Sequence, residues 1–565
     1  MKKNKIIGLS LVLLFLIVIY ASTYAYYMRV VNGTITANTG AFTFDVLHNN
    51  ATFIEINLYD TMDSPSVVSS DKVIVPGDKG KFDLVAKATN SSVDIEYTIG
   101  FSTTSMPSNM KFYLDENKTK VLDIETNTIN GFLDVSSTSS KTHTIYWEWP
   151  YDSGRYNDLD TDYIDKSITI NVITVGKQSK DGIMVYGIKR DTNSTSSSWE
   201  RIEDSIGLEA NAVLPESGTS TTANTTVKND FDNIYPWSEI KSYNYNAETR
   251  KVTAWYGDAN FKFDGSNGEV LTYIPGFYYK REVVNGLEYQ YISKYEQDEY
   301  SYSEPFSVGR YKISEDTSDT SDIKSIHSVS GKMPLTNYNI GYFRESASKL
   351  GSDFSVLDYH WYILQMLYLV EYADYDSQTK LGKGVLYDYF TGNYPDVIAV
   401  GSTDSLGMQS GCLVNDGLHS MIYRGIEDIY GNTEDYIDGI NIKDYQAYIN
   451  YDFTTYQSYK FDDNYKEINY TITQRGPAVY ITGIGYDSNN PLIGLPTGIQ
   501  ESSNESLIGI SAGSSGDIRG ITYNFFSLNT GYSGMGDASG GSRLIRHQTD
   551  IGRNMTTPDD GCLPK

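Results

Sequence analysis

The hydrophobic pattern of this chain is β-like over most of its length. Short runs alternate apolar with polar residues and are rich in β-branched and aromatic side chains. They include AFTFDV at 41–46, KFDLVAKA at 81–88, VDIEYTIGF at 93–101, HTIYWEW at 143–149 and ITINVITVG at 168–176. A period of two sends successive side chains to opposite faces, so each run reads as a half-buried strand. Bounded by Pro, Gly, Asn and Asp, the set predicts an antiparallel all-β sandwich over residues 26–178. Val75-Pro-Gly-Asp78 reads as one of its turns, with Pro fixing φ and Gly permitting a positive φ.

SKDG, between Gln178 and Gly182, reads as a module boundary. A second module opens with the strand IMVYGIKRD at 183–191. Two Ser/Thr-rich stretches, NSTSSS at 193–198 and PESGTSTTANTT at 215–226, have the composition of loops or flexible insertions. DFDNIYPWSEI (230–240), VTAWYGD (252–258), EVLTYIPGFYYKRE (269–282) and LEYQYISKY (287–295) predict strands and bends. Two helices follow. The first, Tyr342 to Leu350, stops at Gly351. The second, Val356 to Tyr372, is apolar at most positions and so should be buried on nearly all sides against the sheet. His360 within it is expected to be a core or partly exposed histidine rather than a catalytic one.

In YRGIEDIYGNTEDYIDGINI, from Tyr423 to Ile442, glycines at 425, 431 and 439 destroy any 3.6-residue period. A compact turn followed by a short strand is predicted, with glycine where backbone must turn or approach closely. Beyond it lie Tyr-rich segments (445–470), a Gly/Pro-rich region (483–498) and a stretch from Leu507 to Arg546. In that stretch LIGI, IRGITYNFFSL and SRLIR predict strands. The second module is thus an α+β domain at 183–546, with two helices and a twisted antiparallel sheet, followed by a polar tail at 547–565.

Composition adds the compartment. Lys2, Lys3 and Lys5 precede an apolar run from Ile6 to Tyr20 and the small residues ending at Ala25. That is the form of a secretory signal peptide, 1–25, cut after Ala25; an uncleaved anchor through Met28 is the alternative. The membrane is then met only through this segment, and the rest lies outside the cell, secreted or held at a bacterial envelope. A formal net charge of −27 excludes nucleic acid as a partner, because a phosphate backbone would be repelled. The chain carries 49 Tyr against 20 Phe and 6 Trp, a bias that suits half-buried strands and adaptable binding faces alike. Cys412 and Cys562 could form one bridge or stay free, and neither choice makes a disulfide scaffold.

Catalytic signatures are sparse. The sequence has no GxSxG elbow, P-loop, CxxC pair, dinucleotide fingerprint or HExxH zinc helix. Asp158, Asp160 and Asp162 alternate like the start of a calcium loop. Tyr163 stands where an EF-hand needs glycine and Thr169 where it needs glutamate, which leaves an acidic turn or an irregular calcium site. With 6 His and many serines, a Ser-His-Asp arrangement stays open, since triads are spatial rather than sequential. No cofactor and no metal ligand set is read, and no enzyme is expected.

Two resemblances sharpen the picture. Arg424-Gly-Ile-Glu-Asp-Ile-Tyr-Gly-Asn432, Tyr436-Ile-Asp-Gly-Ile440 and Gly541-Ser-Arg-Leu544 together resemble the RG…GN…DG core and closing G-(A/S)-R-L strand of a known domain type. These are C-type-lectin-like domains of the formylglycine-generating-enzyme (sulfatase-modifying) type, found in bacterial surface proteins, phage tail proteins and targets of diversity-generating retroelements. FDNIYPW, GSNGEV and IPGFYYK resemble their N-terminal half. Glu434 and Tyr436 stand where that family has tryptophans. The resemblance implies fold-core roles for Arg424, Gly425, Gly431, Asn432, Asp438, Gly439 and Arg543. It also implies a ligand-binding face between core and closing strand, carried here by Ser514, Asp517, Arg519, Tyr523, Asn524, Phe526, Asn529 and Tyr532. The family's oxidase chemistry needs close paired cysteines, and 511–546 contains none. The EPN, QPD or WND signatures of calcium-dependent sugar binding do not occur either.

The second resemblance covers about 1–178. TYAYY at 23–27, IVPGDKGKFDL at 74–84, YWEWPYD at 146–152 and NDLDTD at 157–162 are similar to the camelysin/TasA-like family of secreted biofilm-fibre proteins. The likeness implies a signal peptide cut by a SipW-type peptidase and self-assembly through the N-terminal module. Together the two resemblances imply an exported protein displaying a lectin-like domain that binds a protein or glycan on a cell, phage or host surface. The alternatives are a structural fibre or matrix subunit and, further off, a secreted enzyme.

Overall fold

The computed structural model of the chain describes residues 44–547 apart from 53–54, 64–72, 90, 92, 104–105, 108, 119, 123, 125–127, 135–139, 151–167, 169, 180–181, 195, 222–225, 386–396, 444–445, 457–463, 472–473, 476–485, 491, 493–497, 500–507, 513–527 and 531–539. The protein is mostly β, built of several antiparallel sheets with three α-helices among the described residues. The signal segment, the Asp158/Asp160/Asp162 turn and Cys562 lie outside the described residues.

The first two sheets share one apolar core. Phe44–His48, Lys79–Ala88 and Ser140–Glu148 run antiparallel in a five-stranded sheet edged by Ala51–Thr52 and Lys111–Tyr113. Ile95–Thr103 and Ile170–Gln178 lie at the centre of a four-stranded sheet edged by Glu55–Ile56 and Ile129–Leu133. Lys79–Ala88 alternates exposed with buried residues. Its inward Phe82, Leu84, Ala86 and Ala88 meet Ile95, Tyr97, Ile99 and Phe101 of the other sheet. This is the two-faced alternation written in the sequence. Gly80 is required by close approach, because a Cβ there would lie 2.1 Å from the Thr61 carbonyl oxygen. In the 75–78 turn, Gly77 has φ 101°, and the Val75 N–H donates to the Asp78 carboxylate at 2.8 Å.

From Val185 onward three larger sheets pack around the helices. One orders Glu200–Glu203, Val185–Asp191, Leu287–Ser293, Phe277–Val284 and Ser301–Ser303. A second orders Lys251–Trp255, Lys241–Asn246, Glu269–Ile274, Phe306–Gly309, Leu544–Arg546 and Phe354–Val356. The third is centred on Glu434–Lys443, which pairs with Gln446–Ile449, Ile508–Ala512 and, in parallel, Gly540–Gly541. A small sheet of Gly411–Cys412, Met421–Tyr423 and Ile426–Glu427 completes the core. Cys412 is a buried free thiol, and burial pushes it up to about 12.

Helix α1 is Ile340–Ser348, α2 is His360–Tyr372 and α3 is Ser377–Leu381. All thirteen residues of α2 are buried, as its apolar run requires. Its start differs from the sequence expectation at Val356. Phe354–Val356 is a strand that pairs with Leu544–Arg546, and an apolar run does not show where strand ends and helix begins. The first helix spans Ile340–Ser348 rather than Tyr342 to Leu350, because the Asn339 side chain caps it by accepting from the Tyr342 N–H at 3.0 Å. The α3 helix, too short for a periodic signal, was not expected. EVLTYIPGFYYKRE divides at Pro275-Gly276 into strands of two different sheets. DFDNIYPWSEI forms two 3₁₀ turns, Asp230–Asn233 and Trp237–Glu239. The strand after Gly431 is ten residues long rather than short. It carries Gly439 at a register shift between Ile437 and Asn441, a bulge where φ is 76°. Among the described residues, no helix is long and apolar enough to cross a membrane.

His143 gives the first module a pH dependence. It accepts or donates one hydrogen bond with the Tyr97 hydroxyl at 2.7 Å, and burial, aided by the Lys141 charge, pushes its imidazole down to about 4. Between pH 6.5 and 4 the unfolded chain therefore binds a proton that the folded chain refuses, so stability is lost as pH falls through that window and is unaffected above it. The thermal transition of the N-terminal sheets should fall more steeply with acidification in the wild type than in His143→Phe. The difference in slope should approach about 1 kcal/mol per pH unit between pH 6 and 4.5. Parallel pH profiles would remove His143 as the source.

Candidate functional site

The residues singled out as a fold core are buried and held by charge. Arg424, at φ 42°, directs its guanidinium onto Glu371 of α2, with Nε and Nη2 donating to the two carboxylate oxygens at 2.8 and 2.9 Å. Glu371 also accepts from the Tyr423 hydroxyl at 2.9 Å and the Asn229 amide at 2.6 Å. Gly425, at φ 80°, leaves room that a Cβ would take from Met408, 2.7 Å away. Gly431 (φ 77°) turns the chain into Asn432 (φ 62°). The Asn432 amide then joins the Asp428 carboxylate (2.9 Å) to the Ile398 backbone (2.9 and 3.0 Å). Asp438 receives Arg344 of α1 bidentately at 2.8 and 2.7 Å, and its Oδ1 accepts from the Gly439 N–H at 2.9 Å.

Arg543 lies at the centre. Its guanidinium donates to Asp435 Oδ2 at 3.0 Å and to the carbonyls of Gly309, Arg310, Glu427 and Asp428. Lys312, also fully buried, pairs with the same Asp435 oxygen at 2.9 Å and donates to the Thr433 carbonyl. Burial pushes the Lys312 ammonium down to about 8. Burial, with the neighbouring Glu427 charge, pushes the Asp428 carboxyl up to about 7. These seven motif residues therefore converge on one packed interior rather than on an open cleft.

A second constellation was not read from the sequence. Asp358, just before α2, accepts at Oδ1 from the His360 backbone N–H (3.1 Å) and faces His360 Nδ1 at 2.6 Å. Its Oδ2 accepts from the Tyr456 hydroxyl at 3.0 Å and lies 3.5 Å from His547 Nε2. His547 follows the Leu544–Arg546 strand, and its backbone N–H donates to the Asp353 carbonyl. Though it opens the expected polar tail, its side chain is only 8% exposed. Burial pushes its imidazole down to about 4. Burial would also raise the Asp358 carboxyl, but the two histidines outweigh it and hold it below the usual carboxylate range. The three side chains can each bring one ligand atom within 4.8 Å of the others, and could hold a metal ion.

Ser355 adds a hydroxyl, and with it a test of the Ser-His-Asp idea. Ser355 Oγ lies 3.2 Å from the Val356 carbonyl, to which it donates, and 2.6 Å from His547 Nε2, with which it shares a hydrogen bond. Serine and carboxylate then share one ring nitrogen, whereas a nucleophilic triad places them on opposite nitrogens. Local spacing could not have revealed the cluster, because Asp358 and His360 meet His547 only through pairing of the Phe354–Val356 and Leu544–Arg546 strands.

Of the expected ligand-binding residues, Ser514, Asp517, Arg519, Tyr523, Asn524, Phe526 and Tyr532 lie outside the described residues. Asn529 is in the Leu528–Thr530 strand, opposite Ser511.

No family model matches the chain, and no curated protein matches it. Among solved structures, a DUF4466 family protein from Parabacteroides merdae is similar at 7% identity and a TM-score of 0.10, covering 46% of this chain and 100% of that one. That degree of likeness carries no argument about fold or function.

The Arg424–Glu371 pair is the most exposed to a single substitution in energetic terms. Glu371→Ala removes an acceptor from four donors and leaves the buried Arg424 guanidinium with the more exposed Asp232 carboxylate, 3.1 Å away, as its ion-pair partner, a cost of about 3 kcal/mol. Pairing it with Arg424→Met should recover part of that loss in denaturant unfolding. A double variant no more stable than Glu371→Ala alone would show that packing, rather than the orphaned charge, sets the cost.

Proposed function

We propose that this chain is an exported bacterial surface protein whose second module, 183–546, is a C-type-lectin-like scaffold displaying a ligand-binding face. The ligand is a protein or glycan on another cell, a phage or a host. Binding uses preformed complementarity, without covalent chemistry.

One observation carries the reading. The segments holding the candidate binding residues leave and rejoin a single anchored sheet. Ala512 and Leu528 are paired across neighbouring strands, so 513–527 begins and ends at one place on the sheet. Segment 531–539 runs from the Leu528–Thr530 strand to Gly540–Gly541, which pairs with Glu434 and Asp435. Arg543 then locks the chain within two residues. Connections with fixed stems tolerate sequence change without disturbing the elements they join. Tyr, Asn, Ser and Gly in such connections give contact area and hydrogen bonding at low ordering cost.

The test is binding of the full chain to glycan and surface-protein arrays. The comparison is a variant combining Tyr523→Ala, Asn524→Ala, Phe526→Ala and Tyr532→Ala. Selective binding by the wild type should weaken at least about tenfold in the variant, since clustered aromatic contacts dominate such interfaces. The thermal transition should stay unchanged. Binding that survives all four substitutions, or a wild type that binds nothing on either array, would defeat the reading.

A further inference from the structure

We propose that Asp358, His360 and His547 form a binding site for a divalent transition-metal ion of the zinc class, which clamps the end of the chain to the start of α2. The donor set is two imidazoles and one carboxylate, a combination suited to borderline ions such as Zn²⁺ rather than to Ca²⁺ or Mg²⁺, which take oxygen ligands. The three ligand atoms lie within 4.8 Å of one another. Bonds from such donors to Zn²⁺ are about 2.0–2.2 Å long.

Charge and surroundings favour occupancy. Asp358 is fully buried, and its ion-pair partners are the two imidazoles, with no lysine or arginine among them. A buried carboxylate needs compensating charge. A divalent ion supplies the charge and takes up both rings. The walls are aromatic. Phe453 stacks on His547 with ring centroids 3.8 Å apart, Tyr359 stacks on His360 at 4.3 Å, and Phe306 lies 4.2 Å from His360. Such walls fix ring orientation and exclude water, as a structural site requires. Tyr456 bonds Asp358 Oδ2, and Ser355 bonds His547 Nε2.

The consequence is mechanical. Asp358 and His360 stand at the start of α2, while His547 follows the Leu544–Arg546 strand of the second sheet. An ion shared among them ties the chain's return to the helix at the centre of the core. Because the ligands come from two distant stretches, binding free energy becomes folding free energy for this half of the protein.

The experiment uses the full chain, freed of metal by chelation and then titrated with Zn²⁺, with metal content read by mass spectrometry. One equivalent per chain is expected, with a saturable rise in melting temperature. His360→Ala and His547→Ala should each weaken Zn²⁺ at least about 100-fold. His419→Ala, at an exposed histidine paired with Asp416, should bind as the wild type does. Co²⁺ added to the wild type gives a reading independent of any variant's folding, since two imidazoles and a carboxylate around it produce visible absorption bands. A wild type that takes up no Zn²⁺ and shows no Co²⁺ bands would overturn the proposal. So would a wild type whose bound metal persists unchanged in both histidine variants.

Discussion

Arg543 and its pairing with Asp435 form the interaction on which the second module depends. Removing a guanidinium and a carboxylate from water costs several kcal/mol per ion, and their attraction repays this only if the remaining donors and lone pairs are satisfied. Here the geometry meets that condition. Arg543 reaches the Asp435 carboxylate and four carbonyls, at 309, 310, 427 and 428. Asp435 takes Lys312 as its second cation. Residues 309–310 and 427–435, distant from each other in sequence, thus share one planar group with five donors. Lysine, a point charge with three, could not hold that many carbonyls in one plane.

The same economy recurs around this centre. Arg424 with Glu371, Arg344 with Asp438, Arg546 with Asp353 and Arg310 with the Gly407 and Gly425 carbonyls each tie a turn or strand to a helix or sheet. Tyrosine serves the same end where charge is not needed. Tyr430 sends its hydroxyl to the carbonyls of Ser377 and Gly382 at the two ends of α3, and Tyr243 reaches Ser307 across the sheet. At these two positions the ring fills the core while the hydroxyl satisfies a polar group that phenylalanine would strand.

What could be read from the sequence follows from the range of the forces involved. Lys79–Ala88 and Ile95–Thr103 were legible because period-two alternation is a local consequence of having one wet face and one dry. Most of α2 was legible from its unbroken apolar run, but its first turn was not. Whether Phe354-Ser-Val356 became strand or helix was decided by Leu544–Arg546, far along the chain. Glycines 425 and 431 marked turns as expected, whereas Gly439 sits at a bulge inside a ten-residue strand where a short one was expected, because a bulge and a break look alike in sequence. The Asp358–His360–His547 cluster was illegible for a related reason. Two of its members sit in a run that reads as core, and the third sits where polarity suggests a tail.

The closing strand shows why so many charged anchors gather at one end of the chain. Leu544–Arg546 has only three residues, yet it lies inside a six-stranded sheet, between Phe306–Gly309 and Phe354–Val356. A strand that short contributes few ladder hydrogen bonds of its own. Side chains supply what length does not. Arg543 anchors the residue before it, Arg546 pairs with Asp353 and lies over the Tyr245 ring at 4.1 Å, and His547 packs on Phe453 just beyond. With its end pinned in this way, the strand no longer depends on the connection that leads into it. The entropic cost of closing a longer connection grows only logarithmically with its length. A connection leading into Gly540–Gly541 can therefore lengthen at small cost while Leu544–Arg546 keeps its place in the sheet.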